Sequence, residues 1–271
     1  MAEQLLVKVG FLGFGNMGGA ILYGLLESGT LAPRQAIVCD KDESKNGAAR
    51  RLGAELADSP GDLARECDVL LLAVKPQDME ATLAELAQNG AARPLIISVA
   101  AGVSVDFVRE RLGAEARVIR AMPNTPALVR AGATGLAPGP GCGDDELRIA
   151  RTIFEAVGIV EIVEEPLMDA VTALSGSGPA YFFYMVECMA AAAEKQGLSK
   201  PQAARLAAQT LYGAGCLLTK SGESARVLRE RVTSKGGTTE AALACLREQG
   251  LDELADAAVA SAVSRSRELG S

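Results

Sequence analysis

Short apolar runs alternate with amphipathic stretches over the first 164 residues of the chain. Apolar runs without charge, such as those at 69–74 and 95–100, are typical of strands covered on both faces by helices, as in a parallel sheet. The predicted strands are Leu5–Leu12, Ala36–Cys39, Asp68–Val74, Pro94–Val99, Val118–Ala121 and Ile159–Val163. Helical patterns lie between them, at about 16–28, 44–52, 60–66, 77–88, 104–112 and 143–156. This alternation predicts a doubly wound α/β domain.

The pattern changes after Glu165, where alanine-rich helical stretches follow one another without a further strand pattern. The stretches at 180–186 and 206–218 are apolar on nearly all sides, which is typical of buried helices. A segment of about a hundred residues can bury such helices at a subunit interface. We therefore predict two domains, residues 1–164 and 165–271, with the second all-helical and forming a dimer. A compact monomeric bundle is the alternative.

Composition narrows the possible chemistry. The 271 residues include no histidine, which excludes Ser-His-Asp hydrolases, zinc enzymes with histidine ligands and dehydrogenases with a histidine acid or base. A net charge of −7 argues against a nucleic-acid partner. Six scattered cysteines without a CxxC pair predict reduced core thiols and no metal site. Neither a signal peptide nor a membrane-spanning stretch is visible, so we expect a cytoplasmic protein without a membrane partner.

The first predicted strand runs directly into the sequence GFGNMG, and a helical pattern follows. In this position the first glycine permits a tight turn, the second lets a pyrophosphate approach the backbone, and the third lets the helix pack on the strand. The helix N-terminus then faces the phosphates. The predicted dinucleotide contacts are Gly13, Gly15, Asn16, Met17 and Gly18. An ordinary turn is the alternative.

The second predicted strand is followed by Asp40, where an acid in such folds accepts hydrogen bonds from the adenosine ribose. A carboxylate there favours NADH, because it repels the 2′-phosphate of NADPH. Lys41 and Lys45 stand close by and can offset that repulsion, and an ordinary loop role is the alternative. The sequence therefore leaves NADH and NADPH both open as cofactors. Replacing Asp40 with serine is expected to improve NADPH use if the carboxylate binds the ribose.

Further turns follow the predicted strands at the edge where open α/β sheets hold their ligands. Small residues in the turns at 73–76 and 98–102 allow a planar nicotinamide to lie close to the backbone. The turn at 122–126 has two prolines that stiffen it and an amide that can donate and accept. The predicted cofactor contacts here are Ala73, Val74, Lys75, Pro76, Val99, Ala101 and Asn124. Ordinary strand-end turns are the alternative.

Two segments of the helical region carry turn residues. The sequence TSKGGTT at 233–239 precedes a helical pattern, and its glycines and hydroxyls leave free backbone N–H groups at a helix N-terminus, which suits a carboxylate. A simple helix cap is the alternative. The sequence SGSGP at 175–179 breaks one helical pattern and starts another, which predicts a hinge. No role for the hydroxyls of Ser175 and Ser177 follows from the sequence.

Five ordered strings resemble one known family over essentially the whole chain: GFGNMG, LLLAVKPQDM, IRAMPNTPALVR, DAVTALSGSGPAYFF and VTSKGGTTEAAL. The family is the Δ1-pyrroline-5-carboxylate reductases. The resemblance implies reduction of L-1-pyrroline-5-carboxylate to L-proline by NADPH or NADH, in homodimers that assemble into decamers. It also implies that Ser234, Gly237 and Thr238 hold the substrate carboxylate through their backbone. Thr239 is the implied catalytic residue, with its hydroxyl on the ring nitrogen.

The expected fold is then α/β, with an N-terminal Rossmann-type doubly wound parallel sheet and a C-terminal all-helical dimerisation domain. A cyclic imine also explains how a chain without histidine can be a reductase. The imine arrives protonated at nitrogen, so hydride delivery to its carbon quenches a charge and needs no positioned acid. We expect the site to span subunits, because the helical domain must present its carboxylate loop to the nicotinamide.

Two other functions remain open from the sequence. The related β-hydroxyacid dehydrogenases place a catalytic lysine four residues after a similar glycine string, whereas this chain has Phe182 there and no lysine between Gly176 and Glu194. A non-catalytic dinucleotide sensor is the second alternative. The intact segment at 234–239 counts against it, because a sensor does not need a second anion site. Proline feedback and the acceptance of other cyclic imines cannot be deduced from the sequence.

Overall fold

The computed structural model describes residues 4–88 and 94–270. They form two compact units, Met1–Ser177 with Ala262–Ser271, and Gly178–Ser261. The predicted domain boundary after residue 164 lies inside the first unit, and as a division between functional domains it stays a prediction. Glu165, the residue just beyond that boundary, is bound within the first unit. Its Oε1 accepts the N–H of Val105 at 2.7 Å and lies 3.6 Å from the Arg120 guanidinium.

The first unit contains a single eight-stranded sheet with helices packed on it. The strands are β1 (Val9–Leu12), β2 (Ala36–Cys39), β3 (Glu55–Leu56), β4 (Val69–Leu72), β5 (Leu95–Ser98), β6 (Val118–Met122), β7 (Gly132–Pro138) and β8 (Gly158–Ile162). The helices are α1 (Asn16–Glu27), α2 (Glu43–Arg51), α3 (Pro60–Glu66), α4 (Met79–Gln88), α5 (Val105–Leu112), α6 (Asp144–Glu155) and α7 (Met168–Val171). The strand order is β3-β2-β1-β4-β5-β6-β7-β8.

The sheet is mostly parallel, as predicted, and contains one antiparallel pair of strands. The strands from β3 to β6 pair in parallel, whereas β7 runs antiparallel to β6 and pairs in parallel with β8. Strands β3 and β7 are absent from the prediction. The first has only two residues. The second, with the sequence GATGLAP, has one β-branched residue, Thr134, beside two glycines and a proline, which are depleted in strands. The doubly wound fold itself is confirmed.

Alternating residues of the central strands enter two separate apolar layers. In β4, Val69 and Leu71 pack in one layer, while Leu70 and Leu72 pack in the layer on the opposite face of the sheet. All four side chains are buried. An apolar run without polar alternation is therefore explained by helices on both faces. The two layers hold the sheet between helices and so position its carboxyl edge.

The second unit is all-helical in the described residues, as predicted. Its helices are α8 (Gly178–Lys195), α9 (Lys200–Ser221), α10 (Ala225–Arg231), α11 (Thr238–Glu248) and α12 (Leu251–Leu269), the last of which continues into the first unit. Local sequence sets the ends of these helices. Ser199 and Gln202 form a capping box before α9, and Gly222 ends that helix in the left-handed conformation with φ of 71°.

Large apolar side chains of the second unit remain exposed. Within 178–261, Gly178 and Ala203 alone are buried. Phe182, Phe183 and Tyr184 on α8 are 58%, 64% and 67% exposed. Exposed patches of this kind mark interaction surfaces. The expected burial of this stretch is therefore not met within one chain, which disfavours the compact monomeric bundle and is consistent with a subunit interface.

Candidate functional site

The carboxyl ends of four neighbouring strands form one edge of the sheet in the first unit. Strand β1 pairs with β2 on one side and with β4 on the other, so the strand order reverses between β1 and β4. Open α/β sheets hold their ligands at such a point. The first residues after β2, β1, β4 and β5 are Asp40, Gly13, Ala73 and Val99. The structure thus brings four predicted cofactor residues to adjoining strand ends.

The glycine loop has the geometry that its three glycines predict. Gly13 has φ of +95°, and a Cβ on it would lie 2.7 Å from the carbonyl oxygen of Ala73. A Cβ on Gly18 would overlap the carbonyl oxygen of Gly13. Gly15, in contrast, is exposed and has no atom within 4 Å of the position of a Cβ. The first and third glycines therefore allow close packing, and the second leaves space for a ligand.

The N-terminus of α1 is open towards a ligand. Gly15 is its N-cap residue, so no side chain caps the helix, and the first turn contains no acidic residue. The backbone N–H groups of this turn, with the positive end of the helix dipole, favour an anion. Asn16 is exposed, whereas Met17 is half-buried and packs against the core. The turn thus fits the pyrophosphate of a dinucleotide.

A cavity of about 600 Å³ lies beside the loops that follow β1, β2 and β4, within the usual size range of ligand sites. The predicted residues that line it are Gly13, Gly15, Asp40, Ala73, Val74 and Lys75. Asn16 lines a smaller neighbouring cavity of about 300 Å³. The predicted contacts that line neither cavity are Met17, Gly18, Pro76, Val99, Ala101 and Asn124. Their cofactor contacts stay predictions.

Several residues that line the cavity were not predicted from the sequence, because only contacts in the folded chain bring them there. They are Asp42, Asp58, Pro60, Asp78, Thr82 and Glu85. Lys41 and Asp78, from different loops, form an ion pair at 3.1 Å between Nζ and Oδ2. Hydrogen bonds from the side chain and backbone N–H of Ser44 lower the pKa of Asp42. The cavity wall therefore combines carboxylates with lysines, and acidic groups outnumber basic ones among its residues.

The side chain of Asp40 is already bound by the protein. Its Oδ2 accepts the N–H of Phe14, within the glycine loop, at 2.6 Å. Its Oδ1 accepts the N–H of Asp42 at 2.8 Å. The alternative of a loop role for Asp40 thus has direct structural support, and a ribose contact would use the remaining lone pairs of the same carboxylate.

The amide of Asn124 is also used internally. Nδ2 donates to the carbonyl oxygen of Ser175 at 2.9 Å, and Oδ1 accepts the N–H of Ala133 at 2.9 Å. The side chain is buried. Asn124 therefore ties the end of β6 to β7 and to the segment before α8, and one donor and one acceptor position of its amide are used within the protein.

The predicted hinge at 175–179 overlaps a π-helical turn, Thr172–Gly176, which Ser177 separates from α8. The N–H of Ser177 donates to the carbonyl oxygen of Thr172 at 2.8 Å. The hydroxyl of Ser175 donates to the carbonyl oxygen of Val171 at 2.9 Å. Single π-turns occur frequently at functional sites. The hydroxyl of Ser175 is thus used in a hydrogen bond to the backbone at the start of the π-turn, a role that the sequence did not indicate.

The predicted carboxylate segment belongs to the second unit. The N–H of Gly237 donates to the carbonyl oxygen of Ser234 at 3.0 Å, and Gly236 has φ of +71°, which favours glycine. Helix α11 then begins at Thr238 with Gly237 as N-cap and without a side-chain cap. Thr238 is exposed and Thr239 is half-buried. The segment therefore presents backbone N–H groups at a helix N-terminus, as an anion site requires.

One carboxylate of the chain already uses this segment. Oε2 of Glu240 accepts the N–H of Gly236 at 2.6 Å. The bond from Gly236 to the Glu240 carboxylate shows that a backbone N–H group of this segment can bind an anion. Ser234 lies on the other side of the tight turn, where a Cβ on Gly237 would overlap its Oγ.

The cysteines differ between the two units. Burial raises the pKa of the Cys39 thiol to about 11 and that of the Cys67 thiol to about 12. Both thiols are therefore protonated at neutral pH and are poor nucleophiles. Cys188 and Cys245 in the second unit are exposed, which corrects the prediction that all six cysteines are core residues in a single chain. All six are free thiols.

Among the helices in the described part of the chain, none has the length and hydropathy to cross a membrane.

The doubly wound sheet, the glycine turn at its switch point and the uncapped start of α1 together define a dinucleotide-binding fold. Residues 8–102 match the family model described as NADP oxidoreductase coenzyme F420-dependent. Residues 165–269 match the model described as pyrroline-5-carboxylate reductase dimerisation.

Comparison with whole proteins identifies the family. A pyrroline-5-carboxylate reductase of Methanosarcina acetivorans is 39% identical, over 97% of this chain and 98% of its own. The structure of a Coxiella burnetii pyrroline-5-carboxylate reductase superposes with a TM-score of 0.94 at 37% identity, over 98% of this chain and 100% of that one. A Plasmodium falciparum pyrroline carboxylate reductase with NADP bound has a TM-score of 0.85 at 28% identity, over 99% and 100%. The chain belongs to the pyrroline-5-carboxylate reductase family.

Proposed function

We propose that this protein reduces L-1-pyrroline-5-carboxylate to L-proline with NADPH or NADH, the last step of proline synthesis. The observation that carries the proposal is the presence of two separate anion sites in a chain of this family. One is the open glycine turn of the first unit, and the other is the uncapped start of α11 in the second. A dinucleotide sensor needs only the first of these.

The glycine loop suits the dinucleotide. We assign its pyrophosphate to the turn of Gly13, Gly15 and Gly18 and the first turn of α1, because Gly15 leaves space and the helix N-terminus favours an anion. The turns after β4 and β5, with Ala73 and Val99, are assigned to the nicotinamide. The bound dinucleotide supplies a hydride.

The 234–239 segment suits the substrate. The backbone of Ser234, Gly237 and Thr238 holds the substrate carboxylate, and the hydroxyl of Thr239 hydrogen-bonds the ring nitrogen. The N–H of Gly237 donates to the carbonyl oxygen of Ser234 in the free chain, so the carboxylate shares this donor or replaces that bond. The protonated imine accepts the hydride at C5, so the C=N double bond becomes a C–N single bond and the nitrogen keeps its proton. The chain therefore needs to position the imine and exclude water, without providing an acid.

Positioning requires the two reacting carbons to approach within about 3.5 Å. We propose that the substrate segment of one copy serves the dinucleotide of another, in a homodimer formed through the helical region 165–271. The match of 165–269 to a dimerisation model and the exposed aromatic side chains of α8 support this division. Decamers and a cytoplasmic location are part of the same proposal. Light scattering of the purified protein tests the decamer.

The direct test is oxidation of NADH and NADPH, followed at 340 nm, when pyrroline-5-carboxylate is added to the purified protein. We expect oxidation of at least one cofactor and formation of proline. Oxidation of neither contradicts the proposal. Reduction of NADP⁺ by a β-hydroxyacid, without imine reduction, would instead support a β-hydroxyacid dehydrogenase.

The Thr239→Ala variant tests the assigned role of the hydroxyl. We expect turnover to fall about tenfold or more, because one hydrogen bond to the reacting ring is lost. The dissociation constant of the dinucleotide should stay unchanged. Thr238→Ala is the matched control, since Thr238 acts through its backbone and should retain turnover, and Thr239→Ser should restore it. Full turnover in Thr239→Ala would remove the assigned role.

A further inference from the structure

The carboxylate of Asp40 joins the two loops that enclose one end of the cavity. Asp40 follows β2, whereas Phe14 lies in the glycine loop after β1. The 2.6 Å hydrogen bond from the N–H of Phe14 to Oδ2 connects them across 26 residues of sequence. A charge-assisted bond to a backbone N–H is stronger than a neutral one. Asp40 is therefore part of the structure of the glycine loop.

A second bond reinforces the same junction. The N–H of Gly13 donates to the carbonyl oxygen of Cys39 at 2.9 Å. Two successive N–H groups of the glycine loop are thus bound to two successive residues at the end of β2. The side chain of Phe14 is buried in the apolar layer on one face of the sheet. The backbone between Gly13 and Gly15 is consequently held by hydrogen bonds to the end of β2 and by burial of the Phe14 side chain.

Asp40 is itself fixed in place by α2. Oδ1 of Asn46 accepts the N–H of Asp40 at 3.0 Å, and Nδ2 of Asn46 donates to its carbonyl oxygen at 2.9 Å. The second oxygen of the Asp40 carboxylate accepts the N–H of Asp42. Backbone and side chain of Asp40 are both anchored, so its carboxylate presents a fixed acceptor to the glycine loop.

We infer that Asp40 is a positioning residue, which holds the glycine loop in the conformation that binds the pyrophosphate of either dinucleotide. The inference rests on the proposed function for the identity of the ligand. It changes the expectation for Asp40→Ser. The serine hydroxyl is too short to replace Oδ2, so this variant loses the loop anchor together with the charge. The lost charge favours binding of NADPH, but the lost loop anchor weakens binding of both dinucleotides.

Two substitutions at one position separate charge from hydrogen bonding. Asp40→Asn and Asp40→Ser remove the same negative charge, but only asparagine keeps an acceptor oxygen that can replace Oδ2 opposite the N–H of Phe14. Its NH2 group then takes the place of Oδ1, so the bond from the N–H of Asp42 is lost in both variants. Asp42→Asn is the matched charge control. Asp42 lines the same cavity and caps α2 by accepting the N–H of Ser44 at 2.9 Å, and asparagine caps a helix equally well. That variant removes a charge and leaves the Phe14 bond intact.

The experiment measures dissociation constants of NADH and NADPH for the wild type and the three variants of the full chain. We expect Asp40→Ser to bind both dinucleotides about tenfold more weakly than Asp40→Asn. Asp42→Asn should strengthen NADPH binding relative to NADH without weakening NADH. Equal binding of both dinucleotides by Asp40→Ser and Asp40→Asn would overturn the inference.

Two further readouts separate positioning from a general loss of structure. With saturating dinucleotide, Asp40→Ser should keep the kcat of the wild type and its KM for the imine, while its KM for the dinucleotide rises. Amide hydrogen exchange of Phe14 should be faster in Asp40→Ser than in Asp40→Asn. Unchanged exchange, or a loss of kcat with unchanged dinucleotide KM, would also overturn the inference.

The inference and the proposed function can fail separately. If the binding pattern holds but the wild type reduces no pyrroline-5-carboxylate, the loop role stands and the proposed reaction is wrong. If the wild type reduces the imine and the two Asp40 variants bind equally, the reaction stands and the loop role is wrong. A wild type that binds neither dinucleotide contradicts both.

Discussion

The two units differ in how they bury their apolar side chains. The first unit covers both faces of its sheet, and residues such as Leu71 and Ile97 are fully buried within one chain. The second leaves the aromatic side chains of α8 exposed although its helices are regular. Regular secondary structure thus does not by itself provide a core. We infer that the first unit is stabilised by its own packing, and the second by association with another copy.

The largest effect is expected from a charge on the exposed face of α8. Phe183→Asp should raise the dissociation constant of the dimer about 100-fold or more, because a buried aromatic side chain commonly dominates an interface. Dinucleotide binding by the first unit should be unchanged, whereas turnover should fall with dimer content. Sedimentation and dinucleotide titration measure the two properties.

Leu6→Asp is the control for this variant. Leu6 is 90% exposed, but it belongs to the first unit, and a single exposed apolar residue is normal on a protein surface. Assembly should not change. If the Phe183→Asp protein remains dimeric at the same concentrations as the wild type, the inference that the second unit is stabilised by association through α8 is wrong.

A smaller effect is expected from the buried thiol of Cys67. Burial raises its pKa from an ordinary value of 9.0 to about 12, so the folded state keeps its proton where the unfolded state loses it. This contribution to stability is complete below pH 9 and is lost as the pH rises towards 12. Between pH 8 and pH 10.5, the wild type should lose about 2 kcal/mol more unfolding free energy than Cys67→Ala.

The control for the thiol is Cys245→Ala. Cys245 is exposed on α11, so its removal should leave the alkaline loss of stability as in the wild type. Urea unfolding at the two pH values measures the difference. Equal alkaline losses in the wild type and Cys67→Ala would show that Cys67 is not a buried thiol of the first unit.

The smallest effect is expected at the end of α12, which belongs to the first unit. Ser266 is buried, and its hydroxyl donates to Oδ1 of Asp169 at 2.7 Å. Ser266→Ala should lower the unfolding free energy by about 1 kcal/mol, because the carboxylate loses a buried donor. Ser264→Ala, at an exposed position of the same helix, should have no effect. Equal unfolding free energies of the two variants would show that the hydrogen bond from Ser266 to Asp169 does not stabilise the first unit.

The fold was predictable where burial imposes a pattern. A strand such as β4, covered on both faces, requires an uninterrupted apolar run, and the run at 69–74 identified it. Strand β7 was not predictable because close packing, not hydrophobicity, selects its residues. A Cβ on Gly135 would lie 2.7 Å from the side chain of Val171, and a Cβ on Gly132 would lie 3.0 Å from the carbonyl oxygen of Val157. Both contacts join residues distant in sequence.

The candidate site was predictable in part for a similar reason. The glycine loop has strict backbone requirements, so its spacing alone indicated the turn. The roles of side chains were less accessible. Asp40 and Asn124 have the residue types of ligand-binding groups, but their polar atoms bind backbone groups far away in the chain. The π-turn at 172–176 and the acidic residues of the cavity likewise depend on contacts that a sequence does not display.

The most direct test of the division between the units is complementation between two defective chains. Gly15→Asp places a carboxylate in the open space of the glycine loop, where it repels the pyrophosphate without a steric clash. Thr239→Ala removes the substrate hydroxyl. Both chains, with different tags, are co-expressed, and the mixed dimer is purified and assayed with pyrroline-5-carboxylate. We predict about half of the wild-type turnover per dimer, because one intact glycine loop meets one intact Thr239. A mixed dimer no more active than either parent would contradict the account.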